Sequence, residues 1–104
     1  MTDARIVLAT FPNPEKARQI GTVLLERQLV ACLNFLPGAE SLYRWKGKIV
    51  SESEILAVIK TTEGRLVELE AAFQELHPYE VPEFLVLEVG QGSEDYLKWL
   101  RESC

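Results

Sequence analysis

The chain has 104 residues, 47% of them hydrophobic, and its 16 Asp and Glu outnumber 11 Lys and Arg for a net charge of −5. That length builds one core without room for a second, so residues 1–104 are expected to form one domain, and the hydrophobic share excludes a disordered chain. The acidic balance argues against nucleic acid as a main partner, since phosphate contacts need a basic surface, and no apolar run approaches the ~20 residues of a membrane helix.

Residues 1–5 lead into a short apolar run without the basic stretch, longer apolar segment and small-residue cleavage site of a secretory signal. A soluble, cytoplasmic protein is the expectation. Its two cysteines, Cys32 in an apolar run and Cys104 at the last position, form no C-x-x-C pair. Cys32 reads as a small buried hydrophobe and Cys104 as a frayed, exposed thiol.

Ile6-Val7-Leu8-Ala9-Thr10-Phe11 is short, β-branched and stopped by Pro12-Asn13-Pro14, which predicts a buried strand. Asn13 suits an N-cap and Pro14 the first helical position. Ala17, Ile20, Gly21, Leu24 and Leu25 then recur at the spacing of one helix face, so a first helix is expected to about Gln28.

From Leu29 to Thr62 the pattern is that of strands. Pro37-Gly38 interrupts the second one and predicts a bulge or bend, because proline cannot donate to a ladder. Lys46-Gly47 reads as a hairpin turn, and the return strand passes through Ser51-Glu52-Ser53-Glu54 into the apolar residues 55–59. Thr62 is expected to cap a second helix with the stripe Leu66, Leu69, Phe73 and Leu76, stopped by Pro78. Residues 77–83, with two prolines, must be extended, and residues 84–89 read as a fourth strand buried on both faces or covered by a partner. Ser93 caps a short last helix carrying Tyr96, Leu97, Trp99 and Leu100.

The order βαββαβ plus a terminal helix predicts an α+β, ferredoxin-like sandwich. Two helices pack on one face of a four-stranded antiparallel sheet, and a long hairpin joins the second and third strands. Nothing in the chain covers the other sheet face, so oligomerisation is expected.

Catalytic templates are missing: the chain has no G-x-S-x-G, G-x-x-x-x-G-K-[ST], G-x-G-x-x-G or H-E-x-x-H. A nucleophile pair of Cys32 and His77 is disfavoured by the apolar strand around Cys32, so no enzyme is expected. Glu52 and Glu54 share a strand face, which reads first as a solvated one. His77, the single histidine, is either a helix C-terminal imidazolium meeting the last carbonyls or a metal ligand needing partners from elsewhere. Tyr43 and Trp45 share one strand face and, with Tyr79, line a cleft or pack across a subunit interface. Lys60 is read as the receptor of an anionic ligand in that cleft, or as the partner of a carboxylate.

Ala31-Cys32-Leu33-Asn34, Ser41-Leu42-Tyr43-Arg44-Trp45-Lys46-Gly47, Glu54 with Ile59-Lys60-Thr61-Thr62, His77-Pro78-Tyr79-Glu80-Val81-Pro82-Glu83 and Tyr96-Leu97-Lys98-Trp99-Leu100 stand in this order along the chain. In these motifs the sequence resembles the CutA family of divalent-cation-tolerance proteins. The resemblance implies a homotrimer similar in architecture to the PII signalling proteins, with hairpins joining neighbouring sheets. It also implies tolerance of copper and other divalent cations, with copper or another divalent cation as the bound metal. Ligands proposed for some members are a cysteine near the end of the first strand and two adjacent histidines before Pro-Tyr. Ala9 and Leu76-His77 stand at those places here. The resemblance therefore leaves His77, with Cys32 as a substitute, as metal candidates. The alternative it implies is a PII-like module holding a small anion near Lys60 and Trp45, with Tyr43, Tyr79 and Glu54 completing the cleft and an unidentified partner protein reading the complex.

Overall fold

The computed structural model describes residues 2–104. Its elements are β1 (Ala4–Phe11), α1 (Pro14–Glu26), β2 (Cys32–Trp45), β3 (Lys48–Thr62), a 3-10 turn at Glu63–Arg65, α2 (Leu66–Leu76), β4 (Leu85–Glu88) and α3 (Glu94–Ser103). The strands form one sheet in the order β2-β3-β1-β4 with every neighbouring pair antiparallel, which is the ferredoxin-like α+β arrangement.

Alternation along β1 and β3 sorts side chains between two faces. Val7, Ala9 and Phe11 of β1 and Ile55, Ala57 and Ile59 of β3 turn toward α1 and α2, where they meet Ala17, Ile20, Leu24, Leu69 and Phe73 in one core. Phe11 and Phe73 are fully buried with ring centroids 5.9 Å apart, each burial contributing roughly 1.5–3 kcal/mol. Helix α1 starts as the sequence requires: Asn13 Oδ1 accepts the Lys16 N–H at 2.8 Å and Pro14 opens the first turn. The helix lies close on β2 at Gly21, where an added Cβ would stand 3.0 Å from Phe35 Cζ.

The opposite face of the sheet carries Ile6, Leu8, Leu56 and Val58 with Leu36, Leu85 and Leu87, and only α3 covers one end of it, over Ala4 and Ala31. Leu36, Leu85 and Leu87 are exposed. The fourth strand is thus shorter than expected and open to solvent along its length, because no element among the described residues lies over it.

β3 meets β1 only from Ile55 to Thr62, and its residues 48–54 pair with β2 alone. The hairpin therefore leaves the sheet as a two-stranded ribbon, which stretches the molecule to 45 × 26 × 23 Å. The register shifts between Leu36, opposite Leu56, and Ala39, opposite Glu54, at the predicted Pro37-Gly38 irregularity. One extra residue on β2 reverses which alternate side chains face outward. Cys32, Asn34 and Leu36 share the outer face before the bulge; Ala39, Ser41, Tyr43 and Trp45 share it afterwards, opposite Glu54, Glu52, Val50 and Lys48.

Three local expectations are corrected. Thr62 belongs to β3 and makes no side-chain cap, since the 3-10 turn intervenes before α2. Cys32 is half-exposed, because its strand face is the uncovered one. Cys104 is half-buried against the cluster of Ala4, Ala31 and Leu100, and burial pushes its thiol pKa up.

Candidate functional site

The bulge brings Tyr43 and Trp45 onto the face of Glu52 and Glu54, and residues 78–83 fold back over that face. Between them lies a cleft of about 680 Å³ whose wall also includes Thr10, Leu42 and Val81. Glu52, Glu54, Glu80 and Glu83 line it, and no Lys, Arg or His does.

Two phenol-carboxylate bonds build its floor. Tyr79 donates its hydroxyl to Glu54 Oε2 at 2.7 Å, and Tyr43 donates to Glu52 Oε1 at 2.8 Å. Burial, then the bond to Glu54, pushes the Tyr79 phenol well above its ordinary pKa of 10.0. The bond to Glu52 raises that of the exposed Tyr43. Both phenols are therefore donors at neutral pH. Glu54 is only 6% exposed, so the solvated face expected at this position is corrected: the 78–83 segment covers it.

His77 holds that segment in place. Its backbone N–H donates to the Phe73 carbonyl at 2.9 Å and ends α2. Nε2 lies 2.8 Å from the Thr10 carbonyl oxygen, which only accepts, so Nε2 carries the proton; Nδ1 accepts the Tyr79 N–H at 3.2 Å. The ring stacks on Phe11 at 5.1 Å and packs against Phe73 and Tyr79. Burial lowers its pKa below 6.5, opposed by the Thr10 carbonyl and the Glu54 charge. The expected imidazolium is thus a neutral ring, since burial outweighs the Thr10 carbonyl and the Glu54 charge.

The donors named for copper do not fit it within one chain. Both His77 nitrogens are engaged. Cys32 stands opposite Lys60, which faces Ile6, whereas His77 reaches Thr10, roughly 13 Å further along the sheet at about 3.3 Å per residue. That separation also removes the Cys32–His77 nucleophile pair. Among the described residues no group of three or more His, Cys, Asp or Glu is placed to hold a metal ion.

Of the five residues assigned to the ligand cleft, Tyr43, Trp45, Glu54 and Tyr79 come together and Lys60 does not. Lys60 shares their strand face but lies six residues from Glu54, roughly 20 Å along β3. Its ammonium is bonded to Asn34, and the Cys32 thiol lies 3.8 Å from the Tyr96 hydroxyl on α3. An anion held near both Lys60 and Trp45 is not assembled. Glu80 and Glu83 were missed as cleft residues. Their signal is the proline pair Pro78 and Pro82, which keeps the acidic segment out of helix; the extended run expected over 77–83 is corrected, since the chain bends at residues 79–81 as it crosses the ribbon.

No helix among the described residues is long and apolar enough to cross a membrane. The family described as CutA1 divalent ion tolerance protein matches residues 5–103. A divalent-cation tolerance protein CutA of Thermotoga maritima is 47% identical over 98 residues, 94% of this chain and 96% of that protein. The Thermus thermophilus protein of that name is 44% identical over 94% of this chain and 95% of its own length. The crystal structure of CutA from Xylella fastidiosa superimposes with a TM-score of 0.95 at 36% identity, covering 98% of both chains. A family match that takes in every element from β1 to α3, at this identity and with this fold, means that the chain belongs to the CutA1 divalent ion tolerance family.

Proposed function

We propose that this chain acts in divalent-cation tolerance as a cytoplasmic homotrimer that attracts cations weakly to its clefts and catalyses no reaction. The observation that carries the cation reading is the charge of the cleft, four glutamates without a basic side chain. The names of the relatives, divalent-cation tolerance proteins, support it. Support for self-assembly comes from the uncovered apolar sheet face, since an exposed patch of that kind is ordinarily an interaction surface. Three copies together carry a charge of about −15, three times −5, which draws cations toward the surface. The missing catalytic templates support a non-catalytic role.

Isothermal titration with Cu²⁺ and Zn²⁺ tests the reading. Weak binding by the wild type, reduced in Glu54→Gln and unchanged in Cys32→Ala, which lies outside the cleft, is the expected pattern. Binding lost in a folded Cys32→Ala variant, or equal in Glu54→Gln and wild type, overturns the assignment to the cleft.

A further inference from the structure

We infer that residues 78–83 form a strap that proton uptake by the His77 ring releases from the sheet. Among the described residues, two hydrogen bonds tie this segment to the rest of the chain, and both start at Tyr79. Its N–H donates to His77 Nδ1 at 3.2 Å and its hydroxyl to Glu54 Oε2 at 2.7 Å. Pro78 and Pro82 have no N–H to add, and Glu80, Val81 and Glu83 are exposed. The strap thus hangs from one residue, and one of its two acceptors is the chain's single histidine.

The donors and acceptors around the ring decide what a proton does there. Nε2 already carries a hydrogen, donated to the Thr10 carbonyl at 2.8 Å, so an added proton goes to Nδ1. Nδ1 then becomes a donor facing the Tyr79 N–H, which cannot turn into an acceptor, and that bond is lost. The ring is stacked on the core residue Phe11 at 5.1 Å and bonded to Thr10, so the strap gives way rather than the ring.

The surroundings set the direction of the response. Thr10 and Phe11 on β1 and Phe73 on α2 bring no ionisable group, Glu54 on β3 brings one negative charge, and the Tyr79 phenol on the strap stays protonated. Burial lowers the pKa of the held ring below 6.5 against the Thr10 carbonyl and the Glu54 charge. Lifting Tyr79, whose ring lies 4.6 Å from the imidazole, exposes the histidine to water and returns it to its ordinary value. The released strap therefore binds more protons, and falling pH favours it in the window between the held value and 6.5. Release does not depend on which ion the cleft attracts.

Proton–nitrogen correlation NMR of the full chain, titrated from about pH 7.5 to about pH 4.5, tests the inference. The His77 ring nitrogens and the Tyr79 amide are expected to shift with one common midpoint below 6.5. Across that midpoint the heteronuclear NOEs of Glu80, Val81 and Glu83 should fall while those of Val7 and Leu24 in the core hold. His77→Gln lacks the titrating ring, so its strap should show no such midpoint. Tyr79→Phe keeps the bond to Nδ1 and drops the one to Glu54, so its midpoint should move up toward 6.5, because less holds the strap down. Circular dichroism confirms the fold of each variant, and Tyr79→Phe, which loses one hydroxyl, reads the coupling even if His77→Gln does not fold. A His77 titration that leaves the strap NOEs unchanged overturns the inference. So does loosening at the same pH in a folded His77→Gln, which assigns the change to carboxylates, and so does a strap equally mobile at both ends of the titration.

Discussion

The two halves of β3 have the same backbone and opposite surroundings. From Ile55 to Thr62 the strand lies between β1 and β2 under the helices, and Ile55, Ala57, Ile59 and Thr61 are buried. From residue 48 to 53 it has β2 as its one neighbour, and Ile49, like Leu42 across the ribbon, is 71% exposed. A two-stranded ribbon is marginal by itself in water. The base of the hairpin is held by its own chain, whereas the tip carries apolar side chains that only another molecule can bury. The cleft sits where the two regimes meet, with Glu54 at the boundary.

The largest effect is expected at the base. Phe73→Ala removes a fully buried ring that touches Phe11, His77 and Phe84, and should cost about 3–5 kcal/mol in urea unfolding. Ile49→Ser at the tip should leave the fold of the protomer unchanged and weaken association, read as a lower sedimentation coefficient. If both substitutions cost the fold equally, the contrast between the two halves fails.

His77→Ala should come next, with a loss of about 2–3 kcal/mol for two hydrogen bonds and the aromatic contacts. The same residue sets a pH dependence. Because the folded pKa lies below 6.5, the unfolded chain binds more protons in the window between the two values. This contribution to stability is therefore complete above 6.5, falls as the pH drops through the window and levels off below the folded pKa. Thermal melts of the wild type against His77→Gln check the sign: the variant should lack this component of acid sensitivity.

Smaller again is Tyr79→Phe, expected to cost about 1–2 kcal/mol because it leaves Glu54 buried without its phenol donor. Gly21→Ala should be the mildest, a loss of about 1 kcal/mol or less in urea unfolding. The added methyl presses on the Phe35 ring at 3.0 Å, and the helix propensity gained on replacing glycine offsets part of that.

Much of the fold was legible because its signals are local. The Asn13-Pro14 start of α1, the alternation in β1 and β3 and the Pro37-Gly38 irregularity each act within a few residues. Thr62 misled because a capping residue type was present where a 3-10 turn takes over. The site was legible in part. Tyr43 and Trp45 were placed on one face, but their meeting with Glu54 depends on the parity reversal at the bulge and on the 78–83 segment crossing from another part of the chain. Lys60 was grouped with them through its shared strand, whose length along the sheet puts it beyond their reach. His77 read as a charge at a helix end because its burial between Phe11 and Phe73 is a tertiary fact.

Sedimentation velocity of the wild-type chain at micromolar concentration tests the central claim that the uncovered sheet face and hairpin tip belong to an assembly. A single species of about 35 kDa, three times the 11.8 kDa protomer, is expected. A stable monomer with the same fold would contradict it.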